Sequence, residues 1–323
     1  WLFVIQIFLI LSIIGLGFNN PLNNLFLTAV FAFLVAIFSA SQDIVVDALR
    51  IEILDDSQQG AGAAMTQFGY RIGGILAGAG ALYLREVMSW AEVFLSVSLV
   101  IFVLSIISIS IIPISDNLKT SQKKNFFKPF YEFINRNSIA KLTVIIFFIF
   151  FYKFGDVVAG VMANPFYVKI GFSNLEIANT SKIFGVLMTI VGVFAGGVLV
   201  NKFGILVSLI TGSILQIFSN LLFVWLASTG YNLNVLVITI AGENFSGGMG
   251  SAAFVAYLSV LCNKSYTGTQ YAILSSIMGV ARTILSSPAG FLVEWTGWYE
   301  FFVISTLLGL PGLFILFWMK KNF

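Results

Sequence analysis

Residues 57–71 read SQQGAGAAMTQFGYR, and residues 268–282 read GTQYAILSSIMGVAR. Gln59, Ala61 and Arg71 in the first stretch match Gln270, Ala272 and Arg282 in the second at a constant offset (282 − 71 = 211). Just beyond, WAEVFLSVSL from Trp90 matches WYEFFVISTL from Trp298 in its Trp and Glu, at a similar offset (298 − 90 = 208). Two consecutive pairs in the same order at nearly one spacing mark an internal repeat. Such symmetry sets an architecture before any site is considered.

Outward from these stretches the chain is apolar almost throughout. Of 323 residues, 59% are hydrophobic and 10% charged, whereas soluble domains carry about 25% charged residues. A bilayer core about 30 Å thick takes roughly 20 apolar residues of helix, and only helices satisfy their own backbone groups there. Runs of that size fall at about residues 1–17, 22–46, 61–84, 91–112, 141–164, 179–200, 205–228, 233–261, 268–292 and 300–319. The expectation is an all-α polytopic membrane protein with about ten transmembrane helices.

Composition also narrows the chemistry. There is no His, so a His-containing triad is excluded, and a single Cys262 excludes a disulfide framework or a thiolate metal cluster. No catalytic residue, metal site or cofactor is expected. The net charge of +3 is too small to point to nucleic acid. The expected partners are the lipid bilayer and an anionic small molecule, with the chain acting as a monomer.

The basic residues in the connections and at the ends of the runs orient the chain. With Trp1 on the cytoplasmic side, that side holds eleven: Arg50, Lys119, Lys123, Lys124, Lys128, Arg136, Lys141, Lys202, Lys264, Lys320 and Lys321. The other side holds three, Arg85, Lys169 and Lys182. Both ends are therefore expected in the cytoplasm. The long polar connection makes residues 113–138 a cytoplasmic linker between an N-terminal part, 1–112, with four spans and a C-terminal part, 139–323, with six. Within the linker, Phe126, Phe127, Phe130, Tyr131 and Ile134 share one helical face, which suits a helix on the membrane surface, with Pro129 in its first turn.

The repeat offset places the run at 205–228 onto the run that opens at Trp1, and leaves the two preceding C-terminal runs without counterparts. A parallel repeat of six plus six predicts two further helices upstream of Trp1, twelve in all. That arrangement is similar to the major facilitator bundle. GGVLVNKFG, residues 196–204, also resembles the Gly-rich loop motif of that superfamily, with Asn201 where an acid is usual.

Ionisable residues inside spans are costly unless paired or facing water, and they commonly mark substrate or ion pathways. Six stand out: Asp43, Arg71, Lys153, Asp156, Glu243 and Arg282. Asp47 shares a face with Asp43 and is expected at the cytoplasmic mouth. Lys153 and Asp156, three apart, lie one turn from each other on one face. They read either as a structural ion pair or as a cavity-lining pair with a protonatable acid. Glu243 opens the stretch ENFSGGMG, whose small residues suit both close packing and a helix that bends. Arg71 and Arg282 either pair with these acids or hold an anionic substrate.

SQDIVVDALRIEIL (41–54), GAGAAMTQFGYRIGGILAGAGALYL (60–84), YKFGDVVAG (152–160), ENFSGGMGSAAFVAYLSVLCNKSYTGTQYAILSS (243–276) and PAGFLVEWTGWYEF (288–301) together resemble the AmpG muropeptide permeases, a major facilitator family. The resemblance implies proton-driven import of anhydro-muropeptides across the bacterial inner membrane, serving peptidoglycan recycling and β-lactamase induction. It implies that Arg71, Lys153 and Arg282 bind peptide carboxylates, and that Gln42, Gln67, Tyr70 and Asn244 hydrogen-bond sugar or peptide groups. Asp43, Asp156 and Glu243 are then the proton-coupling residues, with the proton gradient as the energy source. Other readings are a carrier for another anion such as acetyl-CoA, and a shortened paralogue that does not transport.

Overall fold

The computed structural model describes residues 1–111 and 127–322, and every regular element among them is helical. The elements are α1 (Leu2–Phe18), α2 (Leu25–Ile53), α3 (59–85), α4 (Trp90–Ile111), α5 (Lys128–Arg136), α6 (Ile139–Ile170), α7 (Asn174–Phe203), α8 (Ile205–Thr229), α9 (Leu233–Leu261), α10 (Thr267–Thr296) and α11 (Trp298–Asn322). Apart from α5, they follow the expected apolar runs in order. Seven of them, α2, α4, α6, α7, α8, α10 and α11, are long and apolar enough to cross a membrane. The others fall short of ten by that measure for local reasons. Helix α1 has 17 residues, α3 is diluted by glycines and by Gln59, Gln67 and Arg71, and α9 by the polar stretch that starts at Glu243.

By contact the chain divides into two units, one formed by Trp1–Ile53 and Tyr70–Lys128, the other by Leu54–Gly69 and Pro129–Phe323. In the first, α1 packs against α2 and α4. Bare glycines allow the approach: a Cβ at Gly17 would stand 2.5 Å from Phe94 Cβ. Helix α2 continues to Ile53, past the apolar run that ends near residue 46. The extension is held by Asp47 and Arg50, whose side chains meet at 3.2 Å one turn apart. Arg50 thus lies in the last helical turn, buried, and not in a loop.

In the second unit α9 is the central element, packed against α7 on one side and α8 on the other, with α11 against α8 and α6. Helices α7 and α9 run in parallel and nearly touch backbone to backbone. A Cβ at Gly192 would strike the Phe245 carbonyl, one at Gly248 the Thr189 carbonyl, and one at Gly196 would sit 2.6 Å from the Met249 carbonyl. In a bilayer, where the hydrophobic effect between helices is absent, such van der Waals fit is a main source of association. The same economy of side chain joins the start of α3 to the end of α7, where a Cβ at Gly197 would stand 2.8 Å from Ala64 Cβ. Gly196 and Gly197 of the loop-like motif therefore serve packing inside α7. Gly204 makes the turn into α8 at φ +80°, which a side chain would strain.

An aromatic cluster closes one end of this unit. Phe166 meets Phe302 edge-on at 4.6 Å and Trp298 at 5.0 Å, and Phe223 stacks on Phe302 at 4.9 Å. Helix α5 is tied to the α9–α10 connection. Glu132 accepts from Asn263 Nδ2 at 2.8 Å and Gln270 Nε2 at 2.6 Å, and Arg136 donates to the Leu261 carbonyl at 2.7 Å. Burial pushes the Glu132 carboxyl up, but those two hydrogen bonds and the Arg136 guanidinium outweigh it and hold it below the ordinary glutamate value. Pro129 lies in the first turn of α5, while Phe127, Phe130, Tyr131 and Ile134 stay exposed. Phe126, Lys119, Lys123 and Lys124 lie outside the described residues.

Candidate functional site

Helix α6 is interrupted at Tyr152 and Lys153, between Ile139–Phe151 and Phe154–Ile170. The interruption is clamped on both sides. Before it, Tyr152 stacks on Phe254 at 4.8 Å, and Phe148 meets Tyr257 edge-on at 5.2 Å. After it, Gly155 packs so tightly on α11 that an added Cβ would strike the Ser305 carbonyl. A discontinuous helix frees backbone and re-aims side chains at mid-span, a device of transporter binding sites.

Lys153 uses that freedom to reach across to α9. Its ammonium donates to Ser251 Oγ at 2.6 Å and to the Gly247 carbonyl at 3.3 Å. Asp156 Oδ2 lies 3.8 Å from the same nitrogen, with the two side chains only 22% and 18% exposed. The pair thus forms an ion pair along α6 while its cation crosses to a neighbouring helix.

Glu243 joins the same cleft from the other wall. Its carboxylate faces Gly160 of α6, and the Asp156 carboxylate faces Gly247 of α9. Asn244, the next residue, accepts from Thr189 Oγ1 of α7 at 2.9 Å, and its amide nitrogen lies over Gly185. Arg282 on α10 is within electrostatic reach of Asp156. The second unit therefore gathers Lys153, Asp156, Glu243, Asn244 and Arg282. Gln42, Asp43, Tyr70 and Arg71 belong to the first unit, and Gln67 lies on the stretch of α3 that packs with the second. Tyr70 is 73% exposed, and Gln42 Oε1 and Arg71 Nε are buried with no hydrogen-bond partner among the described residues.

Reading by sequence overlooked several members of this environment. Lys182, counted with the three basic residues of the non-cytoplasmic side although it falls near the start of the run at 179–200, sits inside α7 in a π-helical segment, Ala178–Phe184, and is within electrostatic reach of Glu243. Its depth, eight residues past Asn174, was the available signal. Ser251 lies in the small-residue run after Glu243 and carried no charge to mark it. Behind the cleft, Gln216 and Asn220 on α8 are buried, and Gln216 Nε2 and Asn220 Oδ1 lack partners among the described residues. The Gln216 amide packs on Gly250 and the Asn220 amide on Gly155, the glycines beside Ser251 and between Lys153 and Asp156.

A helical unit with ionisable groups facing one another across mid-span glycines has the features of a transport path. The comparisons agree. Residues 1–286 match the Major Facilitator Superfamily. The putative transporter AmpG 4 of Rickettsia felis is 36% identical over 339 residues, spanning all of this chain and 79% of that protein. The anhydromuropeptide permease of Escherichia coli K12 is 34% identical over 320 residues, 98% of this chain and 65% of that protein. Among solved structures, the transporter FucP in the outward conformation aligns with TM-score 0.71 at 14% identity, over 98% of this chain and 82% of that one. The human organic anion transporter MFSD10 aligns with TM-score 0.69 at 14% identity, over 98% and 76%. At that identity both speak for the fold alone. The chain is a multi-pass membrane transporter and not an enzyme, and it belongs to the AmpG-like branch of the Major Facilitator Superfamily.

Proposed function

We propose that this chain imports anhydro-muropeptides across the bacterial inner membrane, driven by protons. The carrying observation is the pair of carboxylates, Asp156 and Glu243, held in one cleft with Lys153, Arg282 and Lys182 around them. Anions that share a site with cations have two uses for a proton: neutralising a carboxylate releases a cation for the cargo, and losing the proton reclaims it. A sugar-peptide with free carboxylates is the complementary cargo. The E. coli relative is an anhydromuropeptide permease, which supports that substrate class.

In this reading Asp43, Asp156 and Glu243 carry the proton. Arg71, Lys153 and Arg282 bind carboxylates, and Gln42, Gln67, Tyr70 and Asn244 bind sugar or peptide groups. The N-terminal part is 1–112, the cytoplasmic linker 113–138 and the C-terminal part 139–323, with both chain ends in the cytoplasm and no cofactor beyond the gradient. The test is uptake of labelled anhydro-muropeptide into vesicles that carry the protein, with and without an imposed proton gradient. Gradient-dependent accumulation that disappears in Asp156→Asn supports the reading. Equal uptake with and without the gradient removes it.

A further inference from the structure

Helix α5 is amphipathic in the reverse sense to a helix on a water-soluble protein, which turns its apolar stripe to the core and its charges outward. Pro129, Glu132, Phe133, Arg136 and Asn137 recur at three- and four-residue spacing and make its inward face. Pro129 and Asn137 are buried, and the Pro129 carbonyl accepts from Gln270 Nε2 at 3.1 Å. Glu132 and Arg136 spend their charges on Asn263, Gln270, the Leu261 carbonyl and each other, the last at 3.2 Å. On the other side of the helix Phe130, Tyr131 and Ile134 are exposed. Charges turned in and aromatic rings turned out suit no aqueous surface.

The place of α5 says what medium it meets. It is bonded to residues 261–270, where α9 ends and α10 begins, and α6 starts just after it at Ile139, itself exposed and apolar. In a multi-pass protein the ends of the spans lie at the boundary between hydrocarbon and headgroups, where aromatic rings are favoured and a Tyr keeps its hydroxyl in the polar layer. Residues 128–141 carry three cations, Lys128, Arg136 and Lys141, against one acid, Glu132. That acid is occupied by Asn263, Gln270 and Arg136, so the stretch offers the headgroups positive charge. We propose that the face made by Phe130, Tyr131 and Ile134 lies in the headgroup layer and docks on anionic phospholipid, with Lys128 and Lys141 at the two ends supplying the attraction. Basic side chains of this length reach phosphate while the apolar face stays at the acyl boundary. Because Glu132 and Arg136 tie α5 to the α9–α10 connection, the lipid anchors that connection as well.

The test uses the full chain in bilayer nanodiscs, with a spin label on Tyr131→Cys in a Cys262→Ser background. The bilayers are phosphatidylcholine alone or mixed with phosphatidylglycerol. In the mixed bilayer, collisions of the label with lipid-soluble oxygen are expected to exceed those with a water-soluble nickel chelate several-fold. Nickel collisions equal to or above oxygen place the face in water, and few collisions with either place it against a second copy or another protein. Both results overturn the proposal. Removing phosphatidylglycerol, or screening it with high salt, is expected to at least halve the oxygen-to-nickel ratio, and Lys128→Gln/Lys141→Gln should do the same in the mixed bilayer. A ratio that neither lipid charge nor the double variant moves overturns the choice of anionic headgroups. Backbone hydrogen exchange over residues 262–266 is expected to slow several-fold when phosphatidylglycerol is present, and unchanged exchange removes the anchor.

Discussion

Asp156 and Glu243 each rest on a glycine of the other's helix. A Cβ added at Gly247, on the helix of Glu243, would lie 3.9 Å from Asp156 Oδ2, and one added at Gly160, on the helix of Asp156, would lie 3.9 Å from Glu243 Oε1. This reciprocal seating places two acids from residues 87 apart in sequence (243 − 156 = 87) in one cleft. It also separates glycines that leave room for a carboxylate from glycines that let helices touch.

A methyl group at 3.9 Å is ordinary contact, so Gly160→Ala and Gly247→Ala are expected to fold and to keep gradient-driven uptake. Leucine at either site displaces the facing carboxylate, and uptake is expected to fall at least tenfold with the protein still present in the membrane. The readout is uptake normalised to folded protein. Full uptake with leucine at both sites would show that the seating is incidental.

Gly192→Ala and Gly248→Ala are expected to behave differently, because their methyl groups strike the backbone carbonyls of Phe245 and Thr189. Overpacking of this kind costs typically about 1–3 kcal/mol. Both variants should melt earlier in detergent than Gly160→Ala does. Similar melting temperatures across the four alanine variants would contradict the distinction.

Lys153 is held by an acid, a hydroxyl and a carbonyl. Removing one partner of a buried pair costs about 3–5 kcal/mol, and water reaching both side chains lowers that figure here. Lys153→Met should therefore destabilise more than Ser251→Ala, which loses one hydrogen bond to a charged group, about 1.5–3 kcal/mol. The double variant Lys153→Met/Asp156→Asn should recover part of the loss, since the stranded charge is gone. Thermal melts of the three proteins give the comparison, and a double variant worse than either single change would remove the pairing argument.

Tyr152 offers a contrast. Its hydroxyl reaches the Leu209 and Gly250 carbonyls only at 3.5 Å and 3.4 Å, while its ring stacks on Phe254 at 4.8 Å. Tyr152→Phe is expected to cost no more than about 1 kcal/mol, whereas Tyr152→Ala forfeits the stack and costs about 3–5 kcal/mol. A large loss on Tyr152→Phe would show that the hydroxyl holds the helix break.

The tie between α5 and the α9–α10 connection has a pH signature. The folded pKa of Glu132 lies below its ordinary value of 4.5. Its contribution to stability is therefore complete above that value and is lost as pH falls through the folded pKa. Glu132→Gln should lower the melting temperature at pH 7, and the gap to the parent should narrow on acidification below pH 4.5. A gap that is constant from pH 7 to pH 3 would show that the ionised carboxylate contributes nothing special.

Several features of the protein were legible along the chain because they are local. Span length follows from bilayer thickness, so the apolar runs mapped in order onto α1–α4 and α6–α11. The largest error, seven residues at the end of α2, came from a charged turn that the Asp47–Arg50 pair keeps helical; the end of α6 and the start of α7 also extend past their runs, by six and five residues. The repeat of Gln59, Ala61 and Arg71 in Gln270, Ala272 and Arg282 is a matter of residue identity, and the Lys153–Asp156 pair is an i,i+3 relation within one helix. Relations between helices were not legible in this way. That Asp156 meets Gly247, that Glu243 meets Gly160, and that Asn244 meets Thr189 depend on how closely glycines let α6, α7 and α9 approach. They depend too on how the break at Tyr152 and the π-helical turn at Ala178–Phe184 shift the phase of the side chains. Periodicity reports which face of a helix is apolar; it carries no information about the distance or rotation of the neighbour, and those are set when the helices pack.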